Sequence, residues 1–193
     1  MRPCDGIGMT ETALLTRAAL PDALRVLVEE IPRETWEAHP HFGGMVRFWL
    51  ERHAMFREVM GRLRAETEGV IDRRTAPEAY APRLSRLGGF FLGELHMHHN
   101  VEDHHYFPRL VGLDARVGKA FDILDADHKA LDGLLNGFEG GANTVLRAEG
   151  EALRGAAGAF HDDLDRLAGF LERHLTDEEE IVVPVILKSG FDG

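Results

Sequence analysis

Histidine and glutamate recur in this chain with a repeated spacing. The repeated residues are His53, His98 and Glu102 in one copy and His128, His174 and Glu178 in the other. The two histidines are 45 residues apart in the first copy and 46 in the second, and each glutamate follows its nearer histidine by four residues. Imidazole nitrogens and carboxylate oxygens are common ligands of transition metals. The doubled set therefore predicts a metal centre.

Each of these residues falls on the apolar face of a predicted helix. Residues four apart lie about 40° apart around a helix, so His98 and Glu102 share a face, as do His174 and Glu178. Apolar residues continue the same faces with helical period, among them Trp49, Phe56, Phe91, Leu95, Leu124 and Leu171. Buried imidazoles and carboxylates need partners. Six of them on inward faces satisfy one another poorly unless a cation is present.

The alternative for any one of these histidines is an ordinary core residue. The chain has 11 histidines, and a single histidine on an apolar face is more often hydrogen-bonded to a carbonyl than to a metal. The apolar neighbours of the two copies, however, match one another at an offset of 75 or 76 residues. This repetition favours the metal centre for the set as a whole.

Helices are the elements predicted to hold these side chains. Alternation typical of strands is nearly absent, and four long helices are predicted, over about residues 44–67, 77–110, 114–138 and 144–188. The second has a potential interruption at Gly88–Gly89, and residues 140–143 predict a clear break before the fourth. Long helices with short joins predict an all-α antiparallel four-helix bundle whose inward side chains build metal sites.

The residues before this bundle are predicted to form an N-terminal helical extension. An amphipathic helix is predicted over residues 11–31, with Pro21 as a potential break, and a loop over residues 33–43. The predicted domains are therefore residues 1–43, the extension with its loop, and residues 44–193, the bundle.

Composition limits the classes of partner. The 193 residues include 44% hydrophobic side chains, enough for a core, and carry a formal charge of -11, which disfavours nucleic acids and anionic membranes. No apolar run approaches the roughly 20 residues needed to cross a bilayer. Met1–Thr10 lacks the pattern of a secretory signal, and Cys4 is the only cysteine, so we expect no intrachain disulfide and a cytoplasmic location.

Three segments carry a resemblance to a known family. The first is His-His-Asn-Val-Glu-Asp-His-His-Tyr-Phe-Pro at residues 98–108. The second is Asp-His-Lys-Ala-Leu at 127–131, and the third is His-Leu-Thr-Asp-Glu-Glu at 174–179. Over about residues 44–188 the chain resembles the hemerythrin-like, HHE cation-binding family. The resemblance implies an up-down-up-down four-helix bundle around two non-haem iron ions, with zinc or manganese as alternatives.

The resemblance also implies a role for each repeated residue. The four histidines of the repeat would be terminal iron ligands, and Glu102 and Glu178 would be bridging carboxylates. Oxygen-carrying members have a fifth histidine one turn after the histidine of the third helix, where this chain has Asp132. Asp132 is either a ligand or an orienting partner of His128, or a surface residue. His99, a ligand position in some relatives, and His105, two turns after His98, are the other secondary candidates.

The function implied is binding of, or reaction with, dioxygen, nitric oxide or peroxide, in sensing, stress response or iron handling. The missing fifth histidine disfavours a purely reversible oxygen carrier. A metal-dependent regulatory or interaction module without turnover remains an alternative, as does a structural metal-binding bundle. Whether the protein is an enzyme is left open, and no catalytic residue is assigned. A nucleic-acid or membrane partner is not expected, whereas a homodimer is compatible with the sequence.

Overall fold

The computed structural model describes Leu14 and residues 16–193, and that part of the chain is helical, without strands. Its α-helices are α1 Val26–Glu30, α2 Gly44–Ile71, α3 Pro77–Val101, α4 Phe107–Leu110, α5 Gly118–Arg147 and α6 Gly150–Ser189. A π-helical turn, Glu102–Tyr106, joins α3 to α4. The predicted all-α class is confirmed. The up-down-up-down order and the domain boundary at residue 44 stay predictions.

The predicted break at residues 140–143 is wrong, because α5 continues to Arg147. A Cβ atom on Gly141 would lie 2.8 Å from Cδ2 of Phe160, so this glycine allows a close approach inside a helix instead of ending it. The connection to α6 falls at residues 148–149, and Gly150 takes the left-handed conformation with φ +56° that favours glycine. The potential interruption at Gly88–Gly89 is also absent, since α3 runs through both residues.

The predicted N-terminal helix is largely replaced by turns. Residues 16–21 form turns, bends and irregular backbone, and among the described residues before Ile31 helical structure is limited to a 3-10 turn, Asp22–Leu24, and to α1. Proline has no backbone N–H and disfavours helix in the residue before it, so Pro21 explains why the helix does not run through this segment. The predictions for Met1–Thr10 and Cys4, and the first residues of the predicted helix, lie outside the described residues.

Two compact units are distinguished along the chain. The first comprises the described part of Met1–Leu50 with Val101–Ala130 and Arg173–Gly193. Its apolar core gathers buried side chains from α1, from the start of α2 and from the end of α6, including Leu27, Trp49 and Ile186. None of the described helices is long and apolar enough to cross a membrane.

The second unit comprises Glu51–Asn100 and Leu131–Glu172. A row of four phenylalanines runs through its core. Phe56 and Phe91 have ring centroids 6.3 Å apart, Phe91 and Phe138 5.6 Å, and Phe138 and Phe160 5.3 Å. Tilted and edge-on contacts of this kind are the favoured geometries of aromatic pairs. Two members of the row, Phe56 and Phe91, lie on the helices that carry His53 and His98.

Candidate metal centre

The helix that carries His98 and His99 ends in a widened turn. Beyond Val101, the π-helical turn Glu102–Tyr106 adds a residue to the helical repeat before α4 begins. Such turns are rare and frequently occur at functional sites. Glu102, the first residue of the turn, is buried, while Tyr106 packs edge-on against Trp49 with ring centroids 5.2 Å apart.

Histidine and glutamate ligand atoms come together in two sets, each with all of its ligand atoms within 4.8 Å of one another. The first set is His53, His98, Glu102 and Glu178, and the second set is His99, His128 and His174. Adjacent residues of a helix point about 100° apart, which explains how His98 and His99 contribute to different sets. All six residues of the sequence repeat, together with the secondary candidate His99, belong to one of these sets.

The two glutamates of the first set also face imidazoles of the second. Oε2 of Glu102 lies 3.6 Å from Nε2 of His128, and Oε2 of Glu178 lies 3.3 Å from Nε2 of His174. All four side chains are at most 4% exposed. A carboxylate in this position can ligate one cation with each of its oxygens, so the arrangement suits a pair of metals.

The imidazoles of His53 and His98 converge in the same way. Their Nε2 atoms are 3.2 Å apart, and the rings meet nearly at right angles with centroids 5.2 Å apart. The ring of Phe56 lies against His98 at 5.1 Å. Two imidazole nitrogens directed at one point beside an apolar ring can ligate one cation and limit the access of water to it.

The charges buried in the described part of the chain are mostly negative. Five carboxylates are at most 2% exposed, namely Glu102, Asp127, Asp177, Glu178 and Glu179. Arg17 is the one buried arginine or lysine among the described residues. Arg33 reaches Glu179 and Arg173 reaches Asp177 from less buried positions. Glu102 and Glu178 face imidazoles instead. Cations at the two sets would balance these carboxylates with the nitrogen and oxygen ligands that transition metals prefer, so the donor set fits a metal centre.

Trp49 orients Glu178. Its indole Nε1 donates a hydrogen bond to Oε1 of Glu178 at 2.5 Å, and the indole is 2% exposed. Oε1 is thereby held by the indole while Oε2 faces His174. The sequence had indicated Trp49 only as part of an apolar lining, because a helical period reports that a tryptophan is buried but not where its N–H points.

Two imidazoles of the second set each have an aspartate in contact with Nδ1, the ring nitrogen on the outer side. Nδ1 of His128 lies 2.7 Å from Oδ1 of Asp103, and Nδ1 of His174 lies 3.4 Å from Oδ2 of Asp127. A carboxylate that accepts from Nδ1 leaves the Nε2 lone pair for a metal and fixes the ring orientation. Sequence reasoning missed both aspartates, although a signal existed: each is the immediate neighbour of a predicted ligand, Glu102 or His128.

The charge state of His174 depends on these carboxylates. Burial alone lowers the pKa of its imidazole, but hydrogen bonds with Asp127 and Glu178 overcome burial and raise the pKa to about 9. Burial likewise opposes ionisation of Asp127, yet hydrogen bonds from Arg17 and His174 hold its pKa below the usual value. Without a metal, His174 is therefore protonated at neutral pH, and a cation that binds Nε2 must displace a proton.

The other two secondary candidates lie elsewhere. Asp132 is exposed, and its Oδ1 lies 3.9 Å from Nε2 of the equally exposed His96. His105 is exposed within the π-helical turn. Within the described part of the chain, neither residue belongs to the two sets. The histidine that supplements the sequence repeat is thus His99, which neighbours a predicted ligand along the helix.

Convergent imidazoles and carboxylates on helices define this molecule as an α-helical protein with a candidate metal centre. The sequence model of the hemerythrin HHE cation binding domain matches residues 44–187, and the chain therefore belongs to that family. The resemblance stated from the sequence is confirmed. Comparisons with curated proteins and with solved structures give no match.

Proposed function

We propose that the protein is a non-haem di-iron protein that binds or reacts with dioxygen, nitric oxide or peroxide. The observation that carries the proposal is the position of Glu102 and Glu178. Both belong to the first set, and each faces an imidazole of the second, at 3.6 Å and 3.3 Å. One metal would be held by each set, and these two carboxylates would connect them. Zinc and manganese are the alternative ions.

The donor types favour iron over a closed structural ion. Neutral imidazoles and carboxylates suit both Fe(II) and Fe(III), whereas structural zinc sites usually have four ligands, most often with cysteine. The only cysteine of the chain is Cys4. When bound, iron supplies a one-electron couple and a coordination position for a small ligand.

The side chains around the two sets perform the remaining tasks. Trp49 holds Glu178 through its N–H, and Asp103 and Asp127 orient two imidazoles. Phe107 stacks on His128 with ring centroids 5.6 Å apart and an angle of 20°. Apolar rings beside the imidazoles limit the access of water, which suits ligands that are small and neutral.

Optical titration of the iron-loaded protein tests this function. Protein loaded anaerobically with Fe(II) is mixed with dioxygen, nitric oxide or peroxide, and the absorption spectrum is followed. We expect at least one of the three to change the spectrum in the natural protein and in His161→Ala, but not in His174→Ala. His161 is a suitable control because it bonds Glu68 at 3.1 Å and belongs to neither set. Unchanged spectra with all three ligands contradict the proposal.

A regulatory module without turnover is the second candidate. It is favoured by one observation, the contact of Arg17, which precedes the family-matched residues, with Asp127 beside His174. Steady-state measurement of peroxide or nitric oxide consumption separates the two candidates. An enzyme consumes many equivalents per chain, whereas a sensor takes up no more than it binds.

A further inference from the structure

A buried arginine outside the family-matched residues contacts an aspartate that in turn contacts an imidazole of the second set. Arg17 precedes residues 44–187, yet its side chain is only 1% exposed. Its Nη1 donates to Oδ1 of Asp127 at 2.8 Å, and its Nη2 donates to Oδ2 of the same carboxylate. Its Nε donates to Oδ2 of Asp177 at 2.8 Å. The planar guanidinium thus fixes the directions of two buried carboxylates.

The backbone beside Arg17 is attached to α6 as well. Nη1 of Arg173 donates to the carbonyl oxygen of Ala18 at 2.7 Å, and Nη2 of Arg173 donates to Oδ1 of Asp177. Asp177 therefore accepts from two arginines, one on each side. The segment of residues 16–20, called the Arg17 segment below, is held to α6 through both a side chain and a main-chain oxygen.

Both aspartates stand next to residues of the proposed metal centre. Oδ2 of Asp127 accepts from Arg17 and lies 3.4 Å from Nδ1 of His174, so one oxygen joins the guanidinium to the imidazole. Asp177 directly precedes Glu178 on α6. Reorientation of Asp127 would release the imidazole of His174, and reorientation of Asp177 would displace the helical turn that carries Glu178.

We infer that Arg17 is a positioning residue of the metal centre, and that the Arg17 segment and the bound metal stabilise each other. The inference rests on the proposed function, because it requires a cation at Nε2 of His174. Arg17 fixes Asp127, Asp127 fixes Nδ1 of His174, and Nε2 is thereby directed toward Glu178. By linkage, the docked segment must favour the metal by the same factor by which the metal favours docking.

Zinc retention in the full-length protein tests whether Arg17 positions the metal centre. The protein is loaded with Zn²⁺, and loss of the ion to an excess of chelator is timed for the natural protein, Arg17→Gln and Arg17→Lys. Loss of an outer partner of a metal ligand weakens binding by about 10- to 100-fold. Arg17 acts through such a partner, Asp127, so we expect Arg17→Gln to lose zinc about tenfold faster, at the lower end of that range. Arg17→Lys keeps the charge but not the two-pronged geometry, and we expect an intermediate rate.

Arg25→Gln is the matched control. Arg25 lies eight positions after Arg17, and its Nη2 lies 3.7 Å from Oε2 of Glu180, in a partly exposed pair. Arg25→Gln removes the same charge and leaves the contacts of Asp127 and Asp177 intact. Because exposed pairs contribute little, the rate of zinc loss from this variant should stay within about twofold of the natural rate. Equal rates for Arg17→Gln, Arg17→Lys and the natural protein overturn the inference.

The side-chain nitrogen spectra of zinc-loaded, ¹⁵N-histidine-labelled protein separate positioning from a general loss of packing. Arg17→Lys should shift the Nδ1 signal of His174 and leave that of His128, which contacts Asp103, in place. Equal shifts of both signals, together with a lower melting temperature, mean that Arg17 acts on the fold alone and contradict the inference.

Proteolysis of the natural protein tests, without any substitution, whether the Arg17 segment and the bound metal stabilise each other. Trypsin cleavage after Arg17 requires the Arg17 segment to undock, whereas cleavage after Arg74 occurs in the exposed connection between α2 and α3. Zinc should slow cleavage after Arg17 at least about tenfold more than cleavage after Arg74, by the reciprocity of linkage. Equal slowing at the two positions contradicts the coupling.

These experiments also distinguish failure of the inference from failure of the proposed function. If the natural protein takes up zinc only when His174 is present and Arg17 has no influence, the inference alone fails. If zinc uptake does not depend on His174, the proposed centre itself is wrong, and the coupling fails with it.

Discussion

His128 and His174 face corresponding glutamates, but the groups behind their rings differ. Behind His128 stands Asp103, at 2.7 Å, with a side chain that is 28% exposed. Behind His174 stands Asp127, at 3.4 Å, with a side chain that is 1% exposed and bonded to Arg17. Asp103 makes the shorter bond and can exchange it for water. Asp127 makes the longer bond and is locked, meaning that its orientation is fixed by Arg17.

This difference shows that two aspartates in corresponding positions, each behind a candidate metal ligand, can be held with different firmness. Asp103 contacts His128 from a partly exposed position, where water screens its charge. Asp127 also bonds the guanidinium of Arg17, and from this fixed position it still raises the pKa of His174. We therefore expect the two positions to respond differently to the same substitution.

The largest effect is expected from removing His174 or the glutamate that it faces, Glu178. His174→Ala and Glu178→Ala should each lower the free energy of unfolding of the metal-loaded protein by about 3–5 kcal/mol, because each leaves buried partners uncompensated. Both act through one site, so the double variant should lose less than the sum by about 0.5–3 kcal/mol. Chemical denaturation of the singles and the double measures this, and simple additivity would place the two residues in separate sites.

His99 and Asp132 provide the next test, because they are the two candidates for a further ligand beside His128. His99→Ala should reduce metal bound in the second set, since His99 converges with His128 and His174. Asp132→Ala should leave metal content unchanged and alter stability by no more than about 0.5 kcal/mol, as is usual for an exposed residue. Elemental analysis of both variants checks this. Loss of metal in Asp132→Ala alone would reverse the assignment.

The paired substitutions Asp127→Asn and Asp103→Asn test the comparison itself. Asp127→Asn should destabilise the metal-free protein by about 1.5–3 kcal/mol, because it weakens hydrogen bonds to a buried arginine. Asp103→Asn should cost about 0.5–1.5 kcal/mol, the range for an ordinary hydrogen bond. Denaturant titrations at neutral pH provide both values. Equal costs would mean that the locked and the water-accessible aspartate are equivalent.

The smallest effect is expected from an exposed arginine network. Hydrogen bonds from Arg116 and Lys188 lower the pKa of Glu30 to about 2. Because this folded-state pKa lies below the ordinary 4.5, the stabilisation is present above pH 4.5 and is lost as the pH falls toward 2.

Glu30→Gln should therefore flatten the pH dependence of stability in that range at low salt. Both partners of Glu30 are partly exposed, so 1 M salt should abolish the difference between variant and natural protein. Thermal melts at several pH values measure it. A difference that persists in high salt would show that exposed and buried arginine networks behave alike, contrary to the contrast with Arg17.

Much of the helical structure and of the ligand sets could be predicted from the sequence, because both are periodic. The apolar period located the long helices, and the repeat of histidine and glutamate selected six residues that the structure brings into the two sets. The period could not distinguish a glycine that ends a helix from Gly141, where the cause is the ring of Phe160. Such a contact joins residues distant in sequence and leaves no local signal.

The supporting residues were harder to predict for the same reason. Arg17 contacts Asp127 and Asp177 across 110 and 160 residues of sequence, and an arginine in a turn-rich segment ordinarily indicates an exposed position. The π-helical turn that places Asp103 against His128 shifts the helical phase by about one residue, which a regular period cannot anticipate.

The central claim is that two metal ions are held by the two sets and connected by Glu102 and Glu178. Elemental analysis after anaerobic reconstitution with Fe(II) tests it most directly, in the natural protein and in Glu178→Ala, with His161→Ala as the control. The account predicts two irons per chain in the natural protein and the control, and no more than one in Glu178→Ala. Fewer than one iron per chain in the natural protein, or two in Glu178→Ala, would contradict it.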